Sequence, residues 1–273
     1  MTAASSRLEA LLYRDKAIVI AALVVLTLLA WGYLGALTLD MSRGDMSSMG
    51  MKTMDTTAMD GPVSMSPQPW TSITLALMLV MWWVMMVGMM VPSAAPMILI
   101  YARVQRQKLP DENPVLRTIL FTSGYLIVWL GFSVIATLSQ WGLSEVALLS
   151  PMMVGTSEYL AAVFFATAGL YQLTPLKQAC LVSCRSPIQF LSTNWKQGNG
   201  GAVRMGLHHG AYCVGCCWFL MALLFVGGVM NLLWVAIIAV FVLLEKSVRH
   251  GQWLSRVAGV VMIGFSFLML ISA

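Results

Sequence analysis

Three cysteines and two histidines fall within ten residues and could together bind a soft metal ion. They lie in the run HHGAYCVGCCW, residues 208–218, and the ligand candidates are His208, His209, Cys213, Cys216 and Cys217. If this run is helical, the three cysteines fall within about 80° of the second histidine, whereas the first histidine points elsewhere. Thiol and imidazole groups are ligands of copper and zinc. The alternative is that the cysteines are small buried apolar residues.

Methionines form a second concentration of soft donors, because fourteen of the 22 lie between residues 41 and 97. Those of the second apolar stretch fall on two helical stripes, the first with Met78, Met81, Met85 and Met89 and the second with Met86, Met90 and Met97. Thioether sulfur suits Cu(I), so we take Met85 and Met89 as metal ligands and Met86 and Met90 as further candidates. Packing alone is the alternative interpretation.

Two prolines and three further polar residues extend the candidate site. Pro92 and Pro96 predict a break in the second helix, with a site beside it. Cys180 and Cys184 are four residues apart and would share a helical face on the inner side of the membrane. Glu245 is a candidate ligand or a hydrogen-bond partner of a histidine ligand, or it forms an ion pair with a neighbouring basic residue.

We interpret the segment 40–70 as an arm that collects metal ions. It is rich in Met, Ser, Asp, Thr, Gly and Pro and has no apolar run to pack, so we expect it to be flexible. The spacing of Met46, Met49, Met51 and Met54 lets two or three thioethers converge on one ion. A low-complexity linker with incidental methionines is the alternative.

Composition places the chain in a membrane and predicts an all-α helix bundle. Hydrophobic residues make up 59% and charged residues 10% of the sequence, and mean hydropathy is +0.81. Charge-free stretches occur at about 17–39, 71–101, 118–139, 159–175, 207–244 and 257–273. Because the fifth could hold two short helices hinged at Gly227-Gly228, we predict about seven transmembrane helices, with six as the alternative.

The distribution of basic residues predicts the orientation of the protein in the membrane. With the N-terminus inside and the C-terminus outside, 14 of the 16 lysines and arginines face the cytoplasm. The predicted organisation is a cytoplasmic segment 1–16, a membrane anchor 17–39, an extracytoplasmic arm 40–70 and a six-helix transmembrane bundle 71–273. The same bias explains the net charge of +5, so no nucleic-acid partner is implied.

Three blocks of the sequence resemble a bacterial family of predicted metal-binding integral membrane proteins. The first is WVMMVGMMVPS at 83–93, the second is TPLKxxCxxxCRSP at 174–187, and the third is the run 208–218. The resemblance covers most of residues 70–270. It implies a multi-pass protein of the bacterial inner membrane with a metal site, and it supplies no reaction.

These features favour a copper-handling membrane protein over an enzyme. We expect it to capture Cu(I) on the outer arm and to hold or relay it through Met, Cys and His ligands, for transport or for cuproenzyme assembly. A membrane thiol or haem redox enzyme and an accessory subunit of a membrane oxidase are the alternatives. Copper is the favoured cofactor, with zinc and haem still open. The expected partners are the metal ion, the lipid bilayer and a cuproenzyme or other membrane subunit.

Overall fold

The computed structural model describes residues 2–42, 70–108, 113–146 and 158–272, and every regular element in them is an α-helix. This confirms the predicted all-α class. The helices are α1 (Thr2–Ser42), α2 (Ser72–Lys108), α3 (Pro114–Glu145), α4 (Glu158–Leu173), α5 (Pro175–Arg185), α6 (Pro187–Asn194), α7 (Gly198–Ala222), α8 (Leu224–Gly227), α9 (Leu232–Ser247) and α10 (Gly251–Ser272).

Five helical stretches among the described residues are long and apolar enough to cross a membrane. They are Lys16–Leu39 of α1, α2, α3, the stretch Gly198–Gly227 of α7 and α8, and Gly251–Ile271 of α10. Helices α4 and α5 make a sixth if they count as one span, although they are bent by 66°. Helix α9 has only 16 residues, which is short for a crossing, so seven spans stay a prediction.

Helix α2 continues through Pro92 and Pro96, and the predicted break is wrong. A proline at position 92 leaves the carbonyl of Gly88 without its helical donor. The Trp31 indole of α1 donates to that carbonyl at 3.2 Å. The prediction failed because the replacement donor comes from another helix.

The long apolar stretch 207–244 divides at the predicted glycine pair. Helix α8 ends at Gly227, and Gly228 has a φ of +86°, which is left-handed backbone that glycine adopts without strain. Asn231 then accepts a hydrogen bond from the backbone N–H of Trp234 at 3.2 Å and caps α9. The chain therefore reverses here and returns α9 to the bundle.

Helices α3 and α7 pack so closely that glycine is required on both. A Cβ at Gly124 would collide with the Val203 carbonyl, and one at Gly206 would collide with the Phe121 carbonyl. One turn further along α7, a Cβ at Gly210 would lie 3.0 Å from Val128. This contact fixes the rotation of α7 and turns its cysteines toward the interior.

Candidate metal centre

The cysteines of α7 are all inside the bundle. Cys213, Cys216 and Cys217 are each 1% exposed. The Cys216 and Cys217 thiols donate to the Cys213 carbonyl at 3.1 and 2.9 Å. The three thiols therefore lie together on the buried side of α7.

Helix α2 brings a thioether to these thiols. The Cys217 Sγ lies 3.9 Å from the Sδ of Met90, and both side chains are buried. Met90 belongs to the second predicted stripe, together with Met86, which is also buried. Met85 and Met89, the first choice from the sequence, are buried on the same helix at 0% and 1% exposure.

Helix α5 brings two more thiols to the same place. The Cys184 Sγ lies 3.9 Å from the Cys216 Sγ. A Cβ at Gly215 would lie 3.0 Å from the Cys180 Sγ, so that thiol also packs directly on α7. The sequence suggested two thiol clusters, and the structure packs the two cysteines of α5 against the cysteine-bearing part of α7.

Polar groups from three helices surround Cys213. Its sulfur lies 3.1 Å from the Tyr125 hydroxyl of α3 and 3.0 Å from the Lys246 ammonium of α9. That ammonium also donates to the Ser93 hydroxyl at 3.1 Å, and the Tyr125 hydroxyl donates to the Met90 carbonyl at 3.2 Å. Sequence reasoning missed Tyr125, although a single phenol within the apolar stretch 118–139 was a usable signal.

The two histidines lie in different environments. His209 is 2% exposed, and its ring stacks against Tyr125 with centroids 5.7 Å apart. Its Nδ1 atom has no hydrogen-bond partner among the described residues. His208 is exposed, packs on Tyr212 and lines a cleft of about 430 Å³ with Lys196 and Arg204. Only His209 is therefore inside the bundle with the thiols.

Glu245 pairs with a lysine that the sequence did not connect to it. Its carboxylate lies 2.6 Å from the Lys177 ammonium of α5, and the two side chains are 1% and 0% exposed. Lys177 also donates to the side chain of Gln172, which accepts a further hydrogen bond from Ser255 at 2.9 Å. The predicted alternative pair with Lys246 does not form, because consecutive residues on a helix point about 100° apart.

The structure brings sulfur atoms together in pairs and does not form a closed set of ligands among the described residues. In the described part of the chain, no group of three or more His, Cys, Asp or Glu side chains is arranged to hold a metal ion. The Cys217–Met90 and Cys184–Cys216 pairs each have sulfurs 3.9 Å apart. With metal–sulfur bonds of about 2.3 Å, the sulfur–metal–sulfur angle across such a pair would be about 115°. That angle fits an ion with three or four ligands, of which each pair supplies two.

The predicted capture arm lies outside the described residues. Its methionines are Met46, Met49, Met51 and Met54, and the described chain stops at Ser42 and resumes at Trp70. The arm therefore stays a prediction from the sequence.

Comparison with known protein families supports copper as the metal that this protein handles. The family model PpoB2, described as a copper chaperone, matches residues 79–269, which are 191 of the 273 residues. The chain belongs to the PpoB2 copper chaperone family. No curated protein and no solved structure gives a significant match to it.

Membership of the PpoB2 family supports the general prediction of copper handling. The matched residues include both sulfur pairs and extend across α3 to α9, whereas the arm and α1 lie outside them. Buried thiol and thioether sulfurs are donors that suit copper in its reduced form.

Proposed function

We propose that this protein holds Cu(I) between the Cys217 thiol of α7 and the Met90 thioether of α2. The observation that carries the proposal is the 3.9 Å separation of these two buried sulfurs. A thiolate and a thioether match the softness of Cu(I). The His209 imidazole is buried on the same face of α7, but it lies two turns before Cys217, about 12 Å along the helix axis, so it is not a ligand of the same ion.

We further propose that copper reaches this pair from the outer side of a bacterial inner membrane. Ions captured on the methionine arm would pass along the α2 thioethers and end at the stronger thiolate ligand. Positive-inside charge, five apolar candidate spans and the methionine-rich arm support this route. The loaded protein would then deliver copper to a cuproenzyme or across the membrane.

Titration of the reduced, purified protein with Cu(I) under anaerobic conditions tests the site. Competition with a Cu(I) chelator should give an affinity that Cys217→Ser lowers by more than about 100-fold, beyond the loss typical for a supporting residue. Met90→Leu keeps the apolar volume and should lower the affinity about tenfold or more.

Met81→Leu is the matched control. Met81 is a buried methionine of the same helix on the other stripe, at 1% exposure, so its loss should leave the affinity unchanged. Equal affinities for wild type, Cys217→Ser and Met90→Leu would disprove the proposed site.

A further inference from the structure

Cys184 and Cys216 form a thiol pair between two different helices. Their sulfurs lie 3.9 Å apart, with Cys184 on α5 half-buried and Cys216 on α7 buried. Cys217, the neighbour of Cys216, is paired instead with Met90. The α5–α7 pair therefore stands beside the proposed copper ligands without being part of them.

This pair is close enough to form a disulfide between two helices after a small movement. A disulfide requires sulfurs about 2.05 Å apart, so these two must approach by roughly 2 Å. Side-chain rotation together with a small shift of α5 can supply this, since α5 is a helix of 11 residues joined to α4 through a 66° bend. Cys213, Cys216 and Cys217 lie on one helix, whose Cα–Cβ bonds all tilt toward its N-terminus, and this geometry hinders bridges among them.

We propose that Cys184 and Cys216 are a redox pair that reduces Cu(II) to Cu(I) for the adjacent Cys217–Met90 site. The inference rests on the proposed function, because the reduced ion is the one that site would accept. Copper that arrives along the thioethers is already Cu(I), whereas copper that reaches the thiols as Cu(II) needs two electrons for every two ions. The dithiol supplies both.

The reaction balances in atoms and electrons. Two S–H bonds break, one S–S bond forms between Cys184 and Cys216, two Cu(II) ions each gain one electron, and two protons leave to water. A low-molecular-weight thiol then restores the dithiol by exchange, and its own disulfide is the product. Without that thiol, each chain reduces two Cu(II) ions and stops.

A single-turnover experiment tests the pair. The fully reduced protein receives two equivalents of Cu(II) as its glycine complex, in the absence of oxygen and of added thiol. Electron paramagnetic resonance follows the loss of Cu(II), and mass spectrometry of the non-reduced digest locates the bridge. Free thiols should fall from five to three per chain, with the bridge between Cys184 and Cys216.

Three cysteine variants give the comparison. Cys184→Ser and Cys216→Ser should each slow Cu(II) loss at least about tenfold and abolish the bridge. Cys180→Ser is the matched control, because Cys180 lies on the same face of α5 against Gly215, and it should behave as wild type. A bridge between other cysteines, or wild-type reduction rates in both Cys184→Ser and Cys216→Ser, would overturn the inference.

Cu(I) supplied directly separates this inference from the proposed function. Cys184→Ser should bind Cu(I) with wild-type affinity if the redox pair and the binding site are distinct. If wild type and Cys184→Ser both fail to bind Cu(I), the binding site is wrong, while the location of the bridge still reports on the redox pair. Cys216→Ser should elute normally in size-exclusion chromatography, which checks that this variant is folded.

Discussion

Cys213 is the residue at which the polar contacts of the centre converge. Its sulfur contacts the Tyr125 hydroxyl and the Lys246 ammonium at 3.1 and 3.0 Å, and its carbonyl accepts from two neighbouring thiols. A cation bound at Cys213 would meet the positive charge of Lys246 at short range. We therefore place copper at Cys217, whose sulfur faces an uncharged thioether instead.

Replacing His209 tests whether this residue binds the metal ion or only packs inside the bundle. His209 is buried among aromatic rings, and its Nδ1 has no partner among the described residues. A buried polar atom left without a hydrogen bond costs about 1–3 kcal/mol. His209→Phe should therefore leave the metal-free protein at least as stable in thermal unfolding and leave the Cu(I) affinity of the Cys217–Met90 site unchanged. A loss of Cu(I) affinity in this variant would show that His209 is a ligand.

The neighbouring histidine provides the control for that substitution. His208→Phe changes an exposed residue and should alter neither the melting temperature nor the affinity. If His209→Phe binds Cu(I) as tightly as wild type, His209 is a packing residue.

At the scale of elements, side chains on one face of α5 fix the position of this helix in the bundle. Lys177, Cys180 and Cys184 recur at the three- and four-residue intervals of a helical stripe. The lysine pairs with Glu245 of α9, and the two cysteines pack on α7. The buried ion pair therefore anchors the helix that carries Cys184, one of the two redox thiols.

Breaking that ion pair should destabilise the bundle. Glu245→Gln leaves the Lys177 charge buried without its counter-charge, at a cost of about 3–5 kcal/mol. The lower melting temperature should be measurable in detergent, and the Cys184–Cys216 bridge should form less completely.

An apolar double variant distinguishes charge from packing. Lys177→Met with Glu245→Leu removes both charges and should recover most of the lost stability, because buried ion pairs are often replaceable by apolar residues. Glu158→Gln, at an exposed position, is the control. A Glu245→Gln protein that melts like wild type would contradict an anchoring role.

For the molecule as a whole, we propose a copper path that has an outer arm and an inner thiol site. The site lies within the residues matched to the copper chaperone family, and the arm lies outside them. The two parts should therefore be separable by experiment.

Deleting residues 40–66 should remove copper held by the arm and leave the bundle site intact. Elemental analysis of the purified, copper-loaded protein should show a loss of about one ion per chain, since two or three thioethers suffice for one Cu(I). The affinity measured for the Cys217–Met90 site should not change. An unchanged copper content would show that the arm is a linker.

The sequence by itself determined the helical class, the apolar stretches, the glycine hinge and the soft donors that lie on one face of α7. Each of these is a local property, because helical periodicity and hydropathy depend on residues close together in the chain. The three cysteines of α7 could thus be assigned to one face from their spacing alone.

Only the tertiary structure decided which residues from different helices meet. Spacing gave two methionine stripes on α2, of which we took Met85 and Met89 as the ligands. The rotation of α2 in the bundle instead brings Met90 into contact with Cys217. The same packing joined Cys184 to Cys216, paired Glu245 with Lys177 and supplied the Trp31 donor that keeps α2 unbroken. Such contacts depend on how each helix is rotated against its neighbours, which close approach at glycines such as Gly206 fixes and periodicity within one helix does not.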